Sequence, residues 1–515
     1  MNSPDSTAVG TVFLVGAGPG DPGLITVKGL RYVETADVVV YDRLIDRQLL
    51  QHAPTDAELI DVGKVPGETR NRQPNINALL VEKAKQGKRV VRLKGGDPFI
   101  FGRGGEEVAA LVEAGIPFEV VPGITSAIAV PAYAGIPLTH RGVASSLTIA
   151  TGSESPDKSE STVDWNWLAK STGTLSVLMG WENLPAISKS LIDGGRPNDT
   201  PTAVIQWGTR ADQKTIVGTL ATIADEARDA GLSNPVVVVV GDVVNLRTVS
   251  RWFDNRPLFG KRILVTRSRT QASSLVDLLS KAGAEPIELP TIEIQRIEDY
   301  SEVDAALTHL ANYDWVIFTS INTVETLFER LDTLGQDTRT LHSSRVAAIG
   351  KATADALKER GIAADLVSRE SISQSLIDGL AEHGVAGRQI LLPGAETRPE
   401  RLTHGLKEIG AIVKEIFLYR TMLPRGTKDQ LTGILNLGVD MATFTSSSTV
   451  TNLIDVLDGD ASRLDGVKIA CIGPVTADTA SNAGLTVDVL AENSTVDGLV
   501  EAIERHYSQE TQSHE

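Results

Sequence analysis

The sequence predicts an α/β protein in two parts, and three observations carry that prediction. Short apolar runs alternate with amphipathic stretches along the chain, the pattern of strands and helices in turn. The chain opens on a strand, a glycine turn, a helix and a second strand ending on an acid, VFLVGAGPGDPGLITVKGLRYVETADVVVYD from Val12 to Asp42. Its last half repeats itself. With 515 residues the chain exceeds the usual size of one domain, so several are expected.

The opening unit suits a nucleotide-like ligand. Gly18, Gly20 and Gly23 fit G-x-G-x-x-G after the apolar run Val12 to Val15, and Asp42 ends the next run, about 20 residues on, where an acid can hold a ribose hydroxyl. Pro19 and Pro22 oppose a dinucleotide. That loop must run into a helix whose free N–H groups face pyrophosphate, and each proline deletes a donor. A glycine turn with no ligand is the other reading of this segment alone.

Further strings follow in order: VGK (Val62 to Lys64), KGGDPFIFGRGGEE (Lys94 to Glu107) and VVPGITSAIAVPAYAGIPLTHR (Val120 to Arg141). With GAGPGDPGLIT they make residues 10–250 resemble uroporphyrinogen-III C-methyltransferase, of the tetrapyrrole methylase family. The resemblance implies a two-subdomain methylase fold and S-adenosylmethionine as cofactor. It places Asp42 at the position of a base that takes a proton from the tetrapyrrole, and Lys64 at that of a proton donor. A strand-end acid is also commonly a helix cap, and a lysine is commonly only surface. The matching cofactor positions are Pro19, Gly95, Gly96, Asp97, Ile100, Thr125, Ser126, Met179 and Gly208. Glycines let backbone approach such a ligand closely; Asp97 is expected to pair with its amino group or ribose, and Met179 to pack on adenine. Arg43, Arg103 and Arg141 are candidates to grip substrate carboxylates through their forked donors, or else surface ion pairs. An internal boundary is expected near Gly123, a surface loop over residues 152–163, and a buried strand at PVVVVVG, Pro235 to Gly241.

NLRTVSRWFDNRPLFG, Asn245 to Gly260, carries no clean period and reads as a linker. Beyond it the duplication begins. GKRILVTR from Gly260 parallels GRQILLPG from Gly387, KAGAEPIELP parallels EIGAIVKEIF, and YDWVIFTSINTVETLFERL parallels VDMATFTSSSTVTNLIDVL. RVAAIGKATADALKERGIAADLV parallels KIACIGPVTADTASNAGLTVDVL. Two copies predict two similar α/β lobes facing each other across a cleft, where ligands of such folds bind.

The strand ends RILVTR, FTS, AIG, LLPG, FLYRT and FTS, in that order, make residues 259–505 resemble uroporphyrinogen-III synthase. The resemblance implies a two-lobed α/β synthase fold with internal duplication, in which the chain starts in one lobe, builds the second and returns. Strands near Ile263 and Ile287 would then share a lobe with those near Thr443, Ile469 and Val487. Those near Ile317, Ala347, Leu366, Leu391 and Phe417 would form the other. The implied substrate is hydroxymethylbilane, with no cofactor. Tyr419 matches the tyrosine proposed to help water leave; a tyrosine merely bonded to backbone is the alternative. Thr319, Ser320, Thr445, Ser446 and Ser447 follow predicted strands, where they can hold carboxylates or simply cap helices.

Composition limits the alternatives. The net charge of −17 disfavours nucleic acid, and it is uneven: −4 over residues 1–258 and −13 over 259–515. Lys64 to Arg103 holds ten Lys/Arg against three acids, either a solvated face or an attraction for a polyanion such as uroporphyrinogen. Cys471 is the single cysteine, so no internal disulfide can form and a reducing compartment is expected. No signal peptide or membrane span is read, so a cytoplasmic protein is expected, and the resemblance implies a homodimer through the methyltransferase part. No metal cluster is proposed. Two other readings stand at this point: an NAD-linked oxidoreductase fused to a binding module, and a methyltransferase fused to a non-catalytic, ligand-sensing two-lobed module.

Overall fold

The computed structural model describes residues 9–63, 72–153, 162–266, 269–368, 373–396, 400–424 and 426–512. The chain forms two compact units: Met1–Ile263 with Asp277–Pro286 and Ile503–Glu515, and Leu264–Val276 with Ile287–Ala502. Among the described residues no helix is long and apolar enough to cross a membrane.

The first sheet contains β1 (Val12–Gly16), β2 (Val38–Tyr41), β3 (Glu58–Asp61), β4 (Val90–Lys94) and β5 (Phe118–Val121) in the order β3-β2-β4-β1-β5. Its pairings are all parallel. Parallel strands covered on both faces need near-continuous apolar runs, and β1 is buried at every position. Alternation divides its side chains: Phe13 and Val15 pack with Val33, Val39 and Leu93 on one face, Val12 and Leu14 with Val40, Leu80 and Leu111 on the other. β4 is equally buried but carries Arg92 and Lys94.

The chain leaves this sheet at Val121, beside the expected boundary at Gly123. The second sheet contains β6 (Leu147–Thr151), β7 (Thr174–Leu178), β8 (Pro201–Gln206), β9 (Lys214–Thr219) and β10 (Val236–Val240), ordered β6-β7-β10-β8-β9. The all-valine β10 lies in the middle, antiparallel to both neighbours, and feeds cores on both faces. Part of the expected loop at 152–163 lies outside the described residues.

The expectation of a plain linker at Asn245 to Gly260 fails. Residues Arg247–Ser250 are helical, and Arg247 and Asp254 form an ion pair of 2.5 Å with side chains 12% and 7% exposed. Trp252 Nε1 donates to the Ala132 carbonyl at 2.9 Å. Tyr133 packs edge-on against Trp252 and Phe253, and the Leu258 N–H donates to the Ala282 carbonyl at 3.0 Å. The segment is anchored by single aromatics and ion pairs on irregular turns, which leave no period in the sequence.

The repeat resolves into two sheets. One contains β11 (Arg262–Val265), β12 (Glu285–Glu288), β19 (Met441–Phe444), β20 (Lys468–Cys471) and β21 (Val489–Leu490). The other contains β13 (Glu293–Arg296), β14 (Trp315–Phe318), β15 (Arg345–Ala348), β16 (Leu366–Val367), β17 (Gln389–Ala395) and β18 (Ile412–Met422). Their orders are β12-β11-β19-β20-β21 and β13-β18-β17-β14-β15-β16. Each sheet therefore has the doubly wound order 2-1-3-4-5 of the repeat, with its first two strands taken from one copy and the rest from the other. β13 adds an antiparallel edge. This is the crossing-over and return expected from the resemblance.

Candidate active sites

Three glycine loops meet at the ends of β1, β4 and β5. A Cβ on Gly16 would lie 2.5 Å from the Gly123 Cα, and one on Gly123 would lie 2.3 Å from the Gly96 oxygen, so backbone stacks where no side chain fits. Gly18 and Gly96 exchange backbone hydrogen bonds of 3.2 and 2.7 Å. The chain then turns through Pro22–Leu24, capped by Asp21. A helix starts only at Val27, capped by Thr26. No long helix opens on the glycine loop, so the pyrophosphate seat of a dinucleotide is missing at that place, in agreement with the prolines. Instead, the Asp21 N–H donates to Thr209 Oγ1 at 3.0 Å and Tyr133 donates to Asp21 Oδ2 at 2.6 Å. The first bond joins the Pro19 loop to the loop holding Gly208, which is itself pressed onto Val130, and the second joins it to the end of the helix Ser126–Tyr133.

The second loop, Gly95 to Arg103, is shaped by Asp97. Its Oδ1 accepts from the N–H groups of Phe99 (2.8 Å) and Ile100 (3.1 Å), and its Oδ2 from that of Gly123 (3.0 Å). The carboxylate expected to meet the cofactor is thus first spent on backbone, tying one loop to the next. Thr125 caps the helix Ser126–Tyr133. Gly95 stands open, with only Leu44 Cβ, at 3.5 Å, close to where a side chain would be. Phe101, Arg103, Met179, Trp207 and Thr209 all have left-handed φ between 47° and 71°, a conformation costing about 1–3 kcal/mol each and typical of functional sites. Met179 is 47% exposed and Ile100 41%. Open glycine backbone for polar edges and two exposed apolar side chains for flat faces fit the nucleoside and amino-acid parts of the implied cofactor.

Asp42 does not cap the helix after β2; Asp46 fills that role by accepting from the Gln48 N–H. Asp42 Oδ1 instead accepts from Arg92 Nη2 at 2.5 Å, and among the described residues Oδ2 has no hydrogen-bond donor. Arg92 is held in turn by Glu107, with Nε to Oε1 3.1 Å, and by the carbonyls of Val40 and Leu93. Lys64 lies outside the described residues. Arg43 and Arg141 are exposed and, among the described residues, have no ion-pair partner. Arg103 is taken by Glu106 in a two-pronged pair of 2.8 and 2.7 Å. The basic stretch is accordingly no single face: Arg92 and Lys94 are buried, and Lys83 pairs with Glu58.

In the second half, Tyr419 on β18 is only 5% exposed. Its hydroxyl lies 3.2 Å from Ser320 Oγ and 3.3 Å from Thr323 Oγ1, so two sequence candidates meet and Thr323 joins them. Ser320 caps the helix Ile321–Thr333 and Ser446 caps Ser447–Val456 in a capping box with Thr449. Ser447 Oγ accepts from Thr479 at 2.8 Å. Thr319 and Thr445 are half-buried at the preceding strand ends.

Glu107 closes the string KGGDPFIFGRGGEE and Thr323 lies within the repeated FTSINTV, but neither string, nor anything around Arg92, marks a role for these residues. Two charges inside the strand VVRLK, Arg92 and Lys94, were the available signal for a buried counter-charge, since a parallel interior strand otherwise carries none.

Comparison with known proteins agrees with this division. The family described as tetrapyrrole (corrin/porphyrin) methylases matches residues 11–224, and the family described as uroporphyrinogen-III synthase HemD matches 273–501. The porphyrin biosynthesis protein HemD of Ruminiclostridium josui is 38% identical over 495 residues, 96% of this chain and 97% of that protein. A uroporphyrinogen-III C-methyltransferase of Bacillus subtilis (strain 168) is 42% identical over 380 residues, 74% of this chain and 77% of that one. An S-adenosyl-L-methionine-dependent uroporphyrinogen III methyltransferase of Methanosarcina barkeri (strain Fusaro / DSM 804) is 55% identical over 240 residues, 47% of this chain and 94% of that one. The chain belongs to a family of fused porphyrin-biosynthesis enzymes, in which a uroporphyrinogen-III C-methyltransferase of the tetrapyrrole methylase family continues into a uroporphyrinogen-III synthase.

Proposed function

We propose that residues 259–505 cyclise hydroxymethylbilane to uroporphyrinogen III with inversion of the last ring, and that residues 10–250 methylate this product twice to precorrin-2, on the way to sirohaem or cobalamin. S-adenosylmethionine, held by the Gly95–Ile100 loop, Met179 and the Gly208 loop, supplies the methyl groups. The product of one half is the substrate of the other, which gives the fusion its logic. The methyltransferase part pairs as a homodimer.

The observation that carries the methyltransferase reading is Asp42. Methylation at carbon needs an electron-rich pyrrole, and a base that removes a proton makes one. Asp42 has one oxygen fixed by Arg92 and the other open to substrate. Arg43 and Arg141, exposed and without partners among the described residues, grip the carboxylates of uroporphyrinogen. Lys64, at the matching donor position, returns a proton as the double bonds rearrange. Tyr419 assists the departure of water from the bilane, and the caps at Ser320 and Ser446, with Thr319, Thr445 and Ser447, hold its carboxylates at helix starts.

The test supplies the full chain with hydroxymethylbilane, with and without S-adenosylmethionine, and identifies the tetrapyrroles. The type III macrocycle alone, converted to precorrin-2 when the methyl donor is added, is expected. If only the spontaneous type I macrocycle forms while added uroporphyrinogen III is still methylated, the second half is a sensing module and not a synthase.

A further inference from the structure

Behind Asp42 lies a cluster of buried charge that the reaction as described leaves unused. Arg92, Lys94 and Glu107 have side chains 2%, 3% and 0% exposed. Glu107 Oε1 accepts from Arg92 Nε at 3.1 Å, Lys94 Nζ at 2.9 Å and Gln73 Nε2 at 3.2 Å, while Oε2 is buried without a partner. Burying three charges costs stability, and apolar residues of similar volume usually serve a core as well or better. The positions in the chain suggest what the cluster achieves. Lys94 ends β4 immediately before the loop Gly95 to Arg103, and Glu107 lies in the first turn of the helix Gly104–Glu113 immediately after it. Their ion pair closes that loop at its base. The same Glu107 oxygen holds Arg92, whose far nitrogen holds Asp42.

We propose that Glu107 is a positioning residue of methyl transfer: through Lys94 it fixes the loop that meets the methyl donor, and through Arg92 it fixes the base, so that one carboxylate keeps donor and base in register. This rests on the reading of Asp42 as the base. Reacting groups must be held within a fraction of an ångström to use proximity, and a guanidinium with its donors engaged on Glu107, Asp42 and two carbonyls can hold a carboxylate that rigidly. Burial and the neighbouring Arg92 lower the pKa of Lys94, against the raising effect of Glu107 and Asp42; the four charges therefore act on one another.

The test uses the full chain with Glu107→Gln, Lys94→Met and the pair of substitutions together. Glu107→Gln alone leaves Lys94 buried without a counter-charge, and Arg92 with Asp42 as its only one, and is prone to misfold; the double substitution removes one charge of each sign and keeps the balance. The folded double variant is expected to bind S-adenosylhomocysteine about tenfold more weakly and to methylate with kcat lowered on the order of tenfold or more. A purely structural role lowers stability and leaves the affinity for S-adenosylhomocysteine unchanged. A folded double variant with kcat and S-adenosylhomocysteine affinity within about twofold of the parent overturns the proposal. Asp42→Asn is measured alongside: full activity there removes the base reading, whereas lost activity there with an intact double variant removes the role of Glu107 alone.

Discussion

The two candidate active sites are built from opposite materials. The methyltransferase site joins left-handed loops and stacked glycine backbone to the half-buried Asp42 and the buried chain Arg92–Glu107–Lys94 behind it. The synthase site presents neutral hydroxyls, Tyr419 with Ser320 and Thr323, at ordinary helix caps. The difference matches the two chemistries. Methyl transfer needs a base and a donor fixed in line, so rigid charge and strain are useful there. Closing a bilane that already loses water spontaneously needs mainly a surface that holds it in the right shape. The duplicated half can therefore form its site from the same cap in each copy, Ser320 and Ser446, with nearly equal backbone angles.

If charge is what the first site depends on, neutralising its base should give the largest effect. Asp42→Asn keeps shape and removes the carboxylate. Its kcat for methylation should fall about 10²- to 10⁴-fold, with S-adenosylhomocysteine affinity, read by calorimetry, changed by less than about twofold. Near-normal turnover would make Asp42 a mere anchor for Arg92 and would erase the contrast between the sites.

The second test asks whether buried charge also supports the first unit away from its site. Removing one partner of such a pair costs about 3–5 kcal/mol, so Asp254→Ala should destabilise by about that amount in chemical denaturation at pH 7. Burial pushes the Asp254 carboxyl up, but Arg247 and Arg251 together hold it below its usual value. A depressed pKa contributes stability above the unfolded value, about 3.9, and loses it as pH falls through the folded one. The difference between variant and parent should therefore persist from pH 7 to about pH 4 and shrink below. A difference that grows toward acid would exclude this ion pair as its source.

Glycines offer a third, smaller contrast with opposite signs. A Cβ at Gly208 would lie 2.3 Å from Val130 Cγ1. Gly208→Ala should therefore cost about 1–3 kcal/mol by overpacking and weaken cofactor binding. Gly433, in the helix Thr427–Asn436 of the second half, has nothing within 4 Å of the same position; Gly433→Ala should stabilise by about 0.5–1 kcal/mol. Thermal melts of both variants read the two signs.

What the sequence revealed follows the same divide. Strand runs and the duplication were legible, because apolar periodicity and repeated strings record them directly; the exchange of strands between lobes came only from the family resemblance, and the order 2-1-3-4-5 only from the structure. The prolines at 19 and 22 correctly spoke against a dinucleotide, and the structure places the first α-helix, a short one, only at Val27. Partner choice was not legible. Ten basic residues in one stretch look alike in sequence, yet Arg92 and Lys94 turn inward to Glu107, Arg103 is taken by Glu106, and Arg43, outside that stretch, has no partner among the described residues. The segment Asn245 to Gly260 looked slack because Trp252 and Phe253 act singly, on turns without a period. Asp97 carried the right motif, but only the fold shows its oxygens turned to backbone.

The smallest effect should belong to Tyr419, and it is the sharpest probe of the neutral site. Tyr419→Phe removes one hydroxyl and almost no volume. Ser320 Oγ and Thr323 Oγ1 lie 3.0 Å apart and still bond to each other without it, so no buried donor is stranded and stability should fall by only about 1 kcal/mol. Cyclisation to the type III macrocycle should slow but not stop, because the bilane sheds water unaided and much of the task is to hold the chain while its last ring inverts. A buried phenol hydrogen-bonded to two hydroxyls can still give a proton to departing water, and its loss is what the slower rate reports. An unchanged rate would make Tyr419 a packing residue whose hydroxyl only completes the cap network. A complete loss in a variant with an unchanged melt would show that proton donation, and not shape, governs the second site, and the contrast between a charged and a neutral active site would then be one of kind of acid rather than of principle.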